Sequence, residues 1–133
     1  VAGKKFAYLA DRKLSYKDLE TLPVMCLEGN TSTRAYVEGF LRENGVHLQP
    51  EFELATSDML IRFAIRGFGI AGVAEDFALE AMEKGEIFRL HFDREIPKRH
   101  FCIVTDEKVP MTAAARRFLD LLEDKCTSDK NKT

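Results

Sequence analysis

Residues 30–34 carry an amide, three hydroxyls and a guanidinium one after another, and they follow closely on a short apolar segment. That segment, residues 24–27, predicts a strand buried on both faces, and apolar residues recur at helical spacing from Tyr36 onward. The polar groups would therefore lie at a helix N-terminus, where free N–H groups and the helix dipole favour an anion. Helix capping alone would explain one or two of them. We predict a small-ligand site that contains Asn30, Thr31, Ser32, Thr33 and Arg34.

Two further junctions, at which a predicted strand is followed by the start of a predicted helix, occur along the chain. Residues 49–55 predict a strand, and Thr56, Ser57 and Asp58 begin the helix that follows it. Residues 70–73 predict another strand, which is followed by a helix over residues 76–83. Strands that alternate with helices predict an α/β fold with a parallel sheet, in which the carboxyl ends of the strands share one edge. We therefore expect the three junctions to meet at one site, and we add Ser57 to it.

The glycines at positions 67, 69 and 72 spell the dinucleotide-binding pattern G-x-G-x-x-G. That fingerprint requires a strand before the glycines and a helix that opens on the last of them. Here a predicted helix precedes the glycines and a predicted strand follows them. The pattern is therefore read as the end of a helix and a tight turn into a strand, and no nucleotide cofactor is expected.

Metal and hydrolytic chemistry find little support in the residue pattern. His100 and Cys102 could share one face of a strand, but no further ligands stand at a diagnostic spacing, so no metal is expected. No G-x-S-x-G segment occurs, and no histidine lies in the three junctions to act as a base. Glu28 and Asp58 could act as an acid and a base, although acidic residues near helix starts usually serve the helix dipole.

Composition places the chain among globular proteins of one domain or part of one. It has 133 residues, of which 45% are hydrophobic and 32% charged, and a formal charge of −2 that gives no basic footprint for nucleic acid. Three cysteines, of which Cys26 and Cys102 lie in apolar runs, favour free thiols and a reducing cytoplasm. No apolar run approaches the roughly 20 residues of a membrane span, so no membrane partner is expected.

The remaining elements are predicted from local patterns. Residues 6–9 suit a strand or an extended arm, Ser15 caps a short helix that stops before Pro23, and the first long helix covers about residues 33–44. Residues 87–92 alternate Ile87, Arg89 and His91 against Phe88, Leu90 and Phe92, as expected of an edge strand with one exposed face, and residues 101–105 predict one more strand. Thr112 caps a final helix, and residues 125–133 form a polar, frayed tail.

Taken together, these segments resemble the effector-binding domain of LysR-type transcriptional regulators. The most recognisable stretch is Ser57 to Leu60, Ile65 and the run Gly67-Phe68-Gly69-Ile70-Ala71. The resemblance also includes Leu9-Ala10, Leu14-Ser15, Asp18-Leu19, Pro23 with its strand, residues 31–34, Ala114, Phe118 and Leu119. It covers about residues 9–122. Where the family usually has proline after the Gly-Ile-Ala strand, this chain has Ala74, a position that often borders the pocket.

The resemblance implies a periplasmic-binding-protein-like (type II) fold of two α/β subdomains with a small inducer in the cleft between them. One subdomain would be largely complete (residues 23–96) and the other partial (residues 1–22 and, with the closing helix, 97–124), followed by the tail at 125–133. It also implies a dimer, and DNA binding through a helix-turn-helix domain that this chain does not contain. Because the resemblance places position 74 at the border of the pocket, we add Ala74 to the expected effector site.

We therefore expect the inducer-sensing region of a cytoplasmic LysR-type regulator, which is not an enzyme and binds a small anionic metabolite. Two other classes stay open from the residues. A solute-binding protein of a transporter would share the fold but would need a signal peptide. A small α/β enzyme would use Glu28 or Asp58. The expected hinges between subdomains are residues 21–23 and 94–97, because each connection places a proline beside a polar segment.

Overall fold

Short strands and helices alternate along most of the chain in the computed structural model, which describes residues 1–99, 102–106 and 108–130. Two 3₁₀ helices, Lys4–Leu9 and Tyr16–Glu20, lie near the N-terminus. The strands are β1 (Ala2–Gly3), β2 (Lys13–Leu14), β3 (Val24–Leu27), β4 (Phe52–Leu54), β5 (Ile70–Ala71), β6 (Ile87–Phe88) and β7 (His91–Phe92). The α-helices are α1 (Ser32–Glu43), α2 (Ser57–Ile65), α3 (Glu75–Glu83) and α4 (Ala113–Lys130).

A parallel three-stranded sheet with the order β4-β3-β5 lies at the centre of the first unit, Val1–Lys98. All four residues of β3 are buried, as the unbroken apolar run predicts. Met25 and Leu27 pack with α2 and α3, whereas Val24 and Cys26 pack with the N-terminal segments and Leu90. The parallel α/β prediction is therefore confirmed.

Residues 6–9 form part of a 3₁₀ helix, so the prediction of a strand or extended arm there is wrong. Phe6, at a kink inside this segment, and Leu9 are both buried in the same core cluster. The residues just before this helix, Val1 to Gly3, are the ones that pair with strands. β1 pairs antiparallel with β6, and Val1 exchanges two backbone hydrogen bonds of 2.8 and 2.9 Å with Ala71 in β5.

The predicted edge strand over residues 87–92 is also wrong, because the segment forms two short strands in different sheets. β6 pairs with β1, and β7 pairs in parallel with β2. Ile87 and Leu90, which a single strand would place on opposite faces, are both buried, Ile87 in one core cluster and Leu90 in the other. A segment that supplies side chains to two cores has to bend between them, which ends the regular alternation.

The first unit includes the N-terminal residues 1–22. Residues 1–22, expected in the first subdomain, contribute Ala2, Phe6, Leu9 and Leu14 to the same core cluster as Val24 and Cys26. The unit ends at Lys98, beside the predicted hinge at residues 94–97. Two tyrosine hydroxyls donate to carbonyls of that segment, from Tyr16 to Arg94 and from Tyr36 to Pro97.

The second unit, Arg99–Thr133, consists mainly of α4. The Thr112 hydroxyl accepts the Ala115 N–H at 3.2 Å, as expected of a cap. Residues 102–105 form no strand, contrary to prediction, and Phe101 and His100 lie outside the described residues. The frayed tail is corrected as well, since α4 continues to Lys130 and no glycine or proline interrupts it.

None of the helices in the described residues combines the length and the apolar character needed to cross a membrane. The longest of them, α4, carries Arg116, Arg117 and Asp120 within its first half.

Gly67 and Gly69 of the G-x-G-x-x-G pattern are explained by the local structure. Gly67 follows α2 with a φ of +73°, a backbone conformation that favours glycine. A Cβ at Gly69 would lie 2.5 Å from the Pro23 carbonyl oxygen and 2.9 Å from Met25 Cγ. Since α2 precedes these residues and β5 follows them, the helix-to-strand interpretation is confirmed.

Gly69→Ala should therefore lower the free energy of unfolding by about 1–3 kcal/mol, because the methyl group would force the turn away from β3. Gly72→Ala is the matched control, since nothing lies within 4 Å of a Cβ there. Its effect should stay within about 0.5 kcal/mol. Urea unfolding measures both variants, and equal midpoints would contradict the close-packing explanation.

Candidate functional site

The carboxyl ends of the three parallel strands lie along one edge of the sheet. β3 leads into α1, β4 into α2 and β5 into α3. The Glu28 N–H donates to the Leu54 carbonyl at 3.1 Å, so β3 and β4 stay together to the point where their loops begin. The structure thus brings the three predicted junctions to one edge, the usual position of ligand sites in open α/β sheets.

Thr31 closes the loop between β3 and α1. Its N–H and its hydroxyl both donate to the Glu28 carbonyl, at 3.1 and 3.0 Å, and its Oγ1 accepts the Arg34 N–H at 3.2 Å. These three bonds are those of an N-cap and a tight turn, so capping accounts for the hydroxyl of Thr31. We call residues 28–31 the edge loop.

The side chains beside this cap differ in their exposure to solvent. Asn30 and Ser32 are exposed, and Thr33 is half-buried. The N–H of Ser32 lies in the first turn of α1, where no preceding carbonyl can accept it within the helix. Asn30, Ser32 and Thr33 therefore remain candidates for contact with a ligand.

Arg34 lies in a different position from the one its sequence context suggests. The residue is only 7% exposed, and its Nη1 donates to the Leu27 carbonyl at 2.9 Å. Its Nη2 lies 2.6 Å from Glu38 Oε1 and 3.2 Å from Glu53 Oε1. Desolvation lowers the pKa of Arg34, but the hydrogen bond and charge of Glu38, with the charge of Glu53, outweigh it and raise the pKa overall. Its guanidinium therefore supports the edge loop from within.

Glu38 and Glu53 were missing from the predicted site. The Arg34–Glu38 spacing of four residues on one helix is a recognisable signal for an ion pair. No local pattern indicates Glu53, since it reaches Arg34 only because β4 pairs with β3, with Glu53 opposite Cys26.

The second and third junctions repeat the helix start with fewer free polar groups. Thr56 Oγ1 accepts the Met59 N–H at 3.3 Å, and Ser57 is half-buried beside it. Asp58 pairs with Arg62 at 3.1 Å. Its position in the first turn of α2 also favours the helix-dipole reading over an acid–base role.

Ala74 is the N-cap residue of α3 and is exposed. It has no side-chain hydrogen bond, so it can offer only its methyl group and backbone to a ligand. Glu75, the next residue, pairs with Arg89.

The charge of this edge has a consequence for any ligand. The three arginines described above, Arg34, Arg62 and Arg89, are each paired with a carboxylate. An anionic group would therefore be held mainly by N–H and hydroxyl donors at the helix starts, where the helix dipoles also favour it.

Among the residues that the structure describes, no three His, Cys, Asp or Glu side chains lie close enough to share a metal ion. His47 and His91 are exposed, as expected. Cys26 is buried, which raises the pKa of its thiol. Cys102, in contrast, is exposed, although its apolar sequence context suggested burial.

Comparison with known proteins adds one finding. A family model described as the LysR substrate binding domain matches residues 1–127. No match was found among curated proteins.

Thr31→Ala should lower the free energy of unfolding by about 1 kcal/mol, the usual effect of losing an N-cap hydroxyl. Thr31→Ser keeps that hydroxyl and is the matched control. Both variants are compared by urea unfolding followed by circular dichroism. If Thr31→Ala were as stable as Thr31→Ser, the cap bond to the Arg34 N–H would contribute nothing measurable.

Proposed function

The chain belongs to the LysR substrate-binding domain family, and we propose that it senses a small anionic effector at the edge formed by β3, β4 and β5. Membership identifies it as an effector-binding region of a LysR-type transcriptional regulator with a periplasmic-binding-protein-like type II fold. In the proposal, the intact regulator acts in the cytoplasm and binds DNA through a separate helix-turn-helix domain.

The observation that carries the proposal is the start of α1 at the centre of the edge. β3 is the middle strand of the sheet, and α1 is a helix of 12 residues that begins one short loop after it. Its first-turn N–H groups and positive dipole end are directed toward the loop. Ser32 is exposed there, with Asn30 just before it in the edge loop.

The proposed recognition uses neutral donors. The effector's anionic group would accept hydrogen bonds from the Ser32 N–H and from the hydroxyls of Ser32 and Thr33. Ser57 and Ala74, at the neighbouring helix starts, would contact the rest of the molecule. Arg34, although predicted as part of this site, would act through the edge loop because its guanidinium is buried and paired.

The proposed response is closure of the cleft that the type II fold implies. A ligand shifts such an equilibrium only through different contacts in the two states. α1 is suited to transmit the change, because it begins at the proposed site and its Tyr36 hydroxyl donates to the Pro97 carbonyl at 2.7 Å. Movement of α1 would thus reach the predicted hinge at residues 94–97 directly.

Ser32→Ala should weaken effector binding by about 1 kcal/mol, and by more if the bonded group is charged. Calorimetry on the intact regulator with its inducer measures this. Glu43→Ala, at the far end of α1 and exposed, is the control and should bind the inducer normally. Unchanged affinity in Ser32→Ala would remove the Ser32 hydroxyl from the site.

Self-association is the second part of the proposal. Phe52, Phe63 and Phe68 form an aromatic cluster with ring centroids 5.1–6.1 Å apart, in which Phe52 and Phe68 are exposed and Phe63 is half-buried. Phe52 lies on β4, the strand at one end of the central sheet, and Phe68 is 49% exposed. Apolar surface of this kind beside a sheet edge favours association with another chain.

Phe68→Ser should raise the dissociation constant for self-association about tenfold, equivalent to about 1.4 kcal/mol of lost apolar burial. Tyr8→Ser is the control, because Tyr8 is more open to solvent than Phe68 and its ring neighbours Phe6 at 6.3 Å, outside the cluster. Sedimentation velocity over a concentration series compares them. A wild-type chain that stays monomeric throughout would contradict the proposal of self-association.

A further inference from the structure

The edge loop is closed at two points by a single residue. The Arg34 side chain donates to the carbonyl of Leu27, the last residue of β3, at 2.9 Å. The Arg34 backbone N–H donates to Thr31 Oγ1 at 3.2 Å. Thr31 in turn donates twice to the Glu28 carbonyl, so the hydrogen bonds run without a break from β3 through the loop to α1.

The same guanidinium also joins the loop to its neighbours. Nη2 pairs with Glu38 on α1 and with Glu53 on β4. β3, α1 and β4 therefore each supply a partner to the guanidinium of Arg34, a residue that is 7% exposed. Burial of a charge is costly unless it is paired and hydrogen-bonded, so loss of these contacts would destabilise the loop in the folded unit.

We propose that Arg34 is a positioning residue of the effector site, which sets the shape of the edge loop and the direction of the Ser32 N–H without touching the effector. The inference rests on the proposed function, since it assigns a role in that same site. Arg34 is not assigned a direct contact with the effector, because Nη1 and Nη2, the tips of its side chain, already bond Leu27, Glu38 and Glu53.

A lysine could not replace this arginine. The guanidinium directs several N–H groups in one plane, whereas an ammonium is a compact charge on a flexible stem. Lysine at this position could keep one ion pair but would not hold the Leu27 carbonyl and both carboxylates at once. Arg34→Lys therefore preserves the charge and removes the positioning, which makes it the informative variant.

The test uses the full chain labelled with ¹⁵N and acetate as the anionic probe, titrated at constant ionic strength. The shift of the Ser32 amide signal gives the acetate affinity, and amide exchange at Thr31 and Arg34 reports whether the loop is closed. Arg62→Lys is the matched control, since Arg62 is exposed and pairs with Asp58 on the same helix.

In Arg34→Lys the acetate affinity should fall about tenfold, the equivalent of one charge-assisted hydrogen bond. Exchange at Thr31 should become faster, while the β3 amides of Met25 and Cys26 keep their wild-type signals. Arg62→Lys should match the wild type in all three measurements. A purely structural role for Arg34 would change stability without changing the acetate affinity of the folded molecules.

Wild-type acetate affinity and Thr31 exchange in a folded Arg34→Lys variant would overturn the inference. If Arg34→Lys does not fold, Glu53→Gln replaces it, and unchanged affinity and exchange there would count against it in the same way. If acetate leaves the wild-type Ser32 signal unmoved, the proposed anion site fails. In that case, faster Thr31 exchange in Arg34→Lys would still support loop closure by Arg34, and unchanged exchange would refute it.

Discussion

The burial of β3 on both faces is the constraint on which the rest of the first unit depends. Four consecutive apolar residues can be covered only if the strand has a neighbour on each edge and packed elements above and below it. Parallel neighbours require crossover connections, and here α1 and α2 supply them. Because the three strands run in one direction, each helix starts at the same edge of the sheet. The candidate site is thus a consequence of how the core is covered.

The chemistry of this edge follows from how its charges are paired. Arg34, Arg62 and Arg89 each have a carboxylate partner, so the donors open to a ligand belong mainly to the backbone and to hydroxyls. Backbone N–H groups at a helix start are fixed by the helix itself and need no side chain to be ordered. Recognition of this kind would depend on the course of the loop, so in the proposed site the contacts of Arg34 and Thr31 would affect effector binding as well as folding.

Helix α1 connects the candidate site with the end of the first unit. Its first turn lies at the edge of the sheet, and one turn later the Tyr36 hydroxyl bonds the Pro97 carbonyl. Tyr16 bonds the Arg94 carbonyl of the same segment, and its ring stacks on Phe92 at 5.0 Å. Packed elements move as rigid bodies and not by gradual deformation. Movement of α1 would therefore couple the proposed effector site to the proposed hinge at residues 94–97.

Local patterns in the sequence predicted the buried strand and the capping groups at residues 30–33 and 56–58, because each depends on residues close together in the chain. The convergence of the three junctions followed from the α/β pattern as a whole. The 3₁₀ helix at Lys4–Leu9 and the division of residues 87–92 into β6 and β7 were decided by which core each apolar side chain enters. Arg34 shows the same limit at the site. Its position after three hydroxyls suggested a ligand contact, but the pairing of β4 with β3 brings Glu53 beside it, and a buried guanidinium is stable only with such partners. The sequence could have indicated the pair with Glu38, whereas the contact with Glu53 was decided by the tertiary structure.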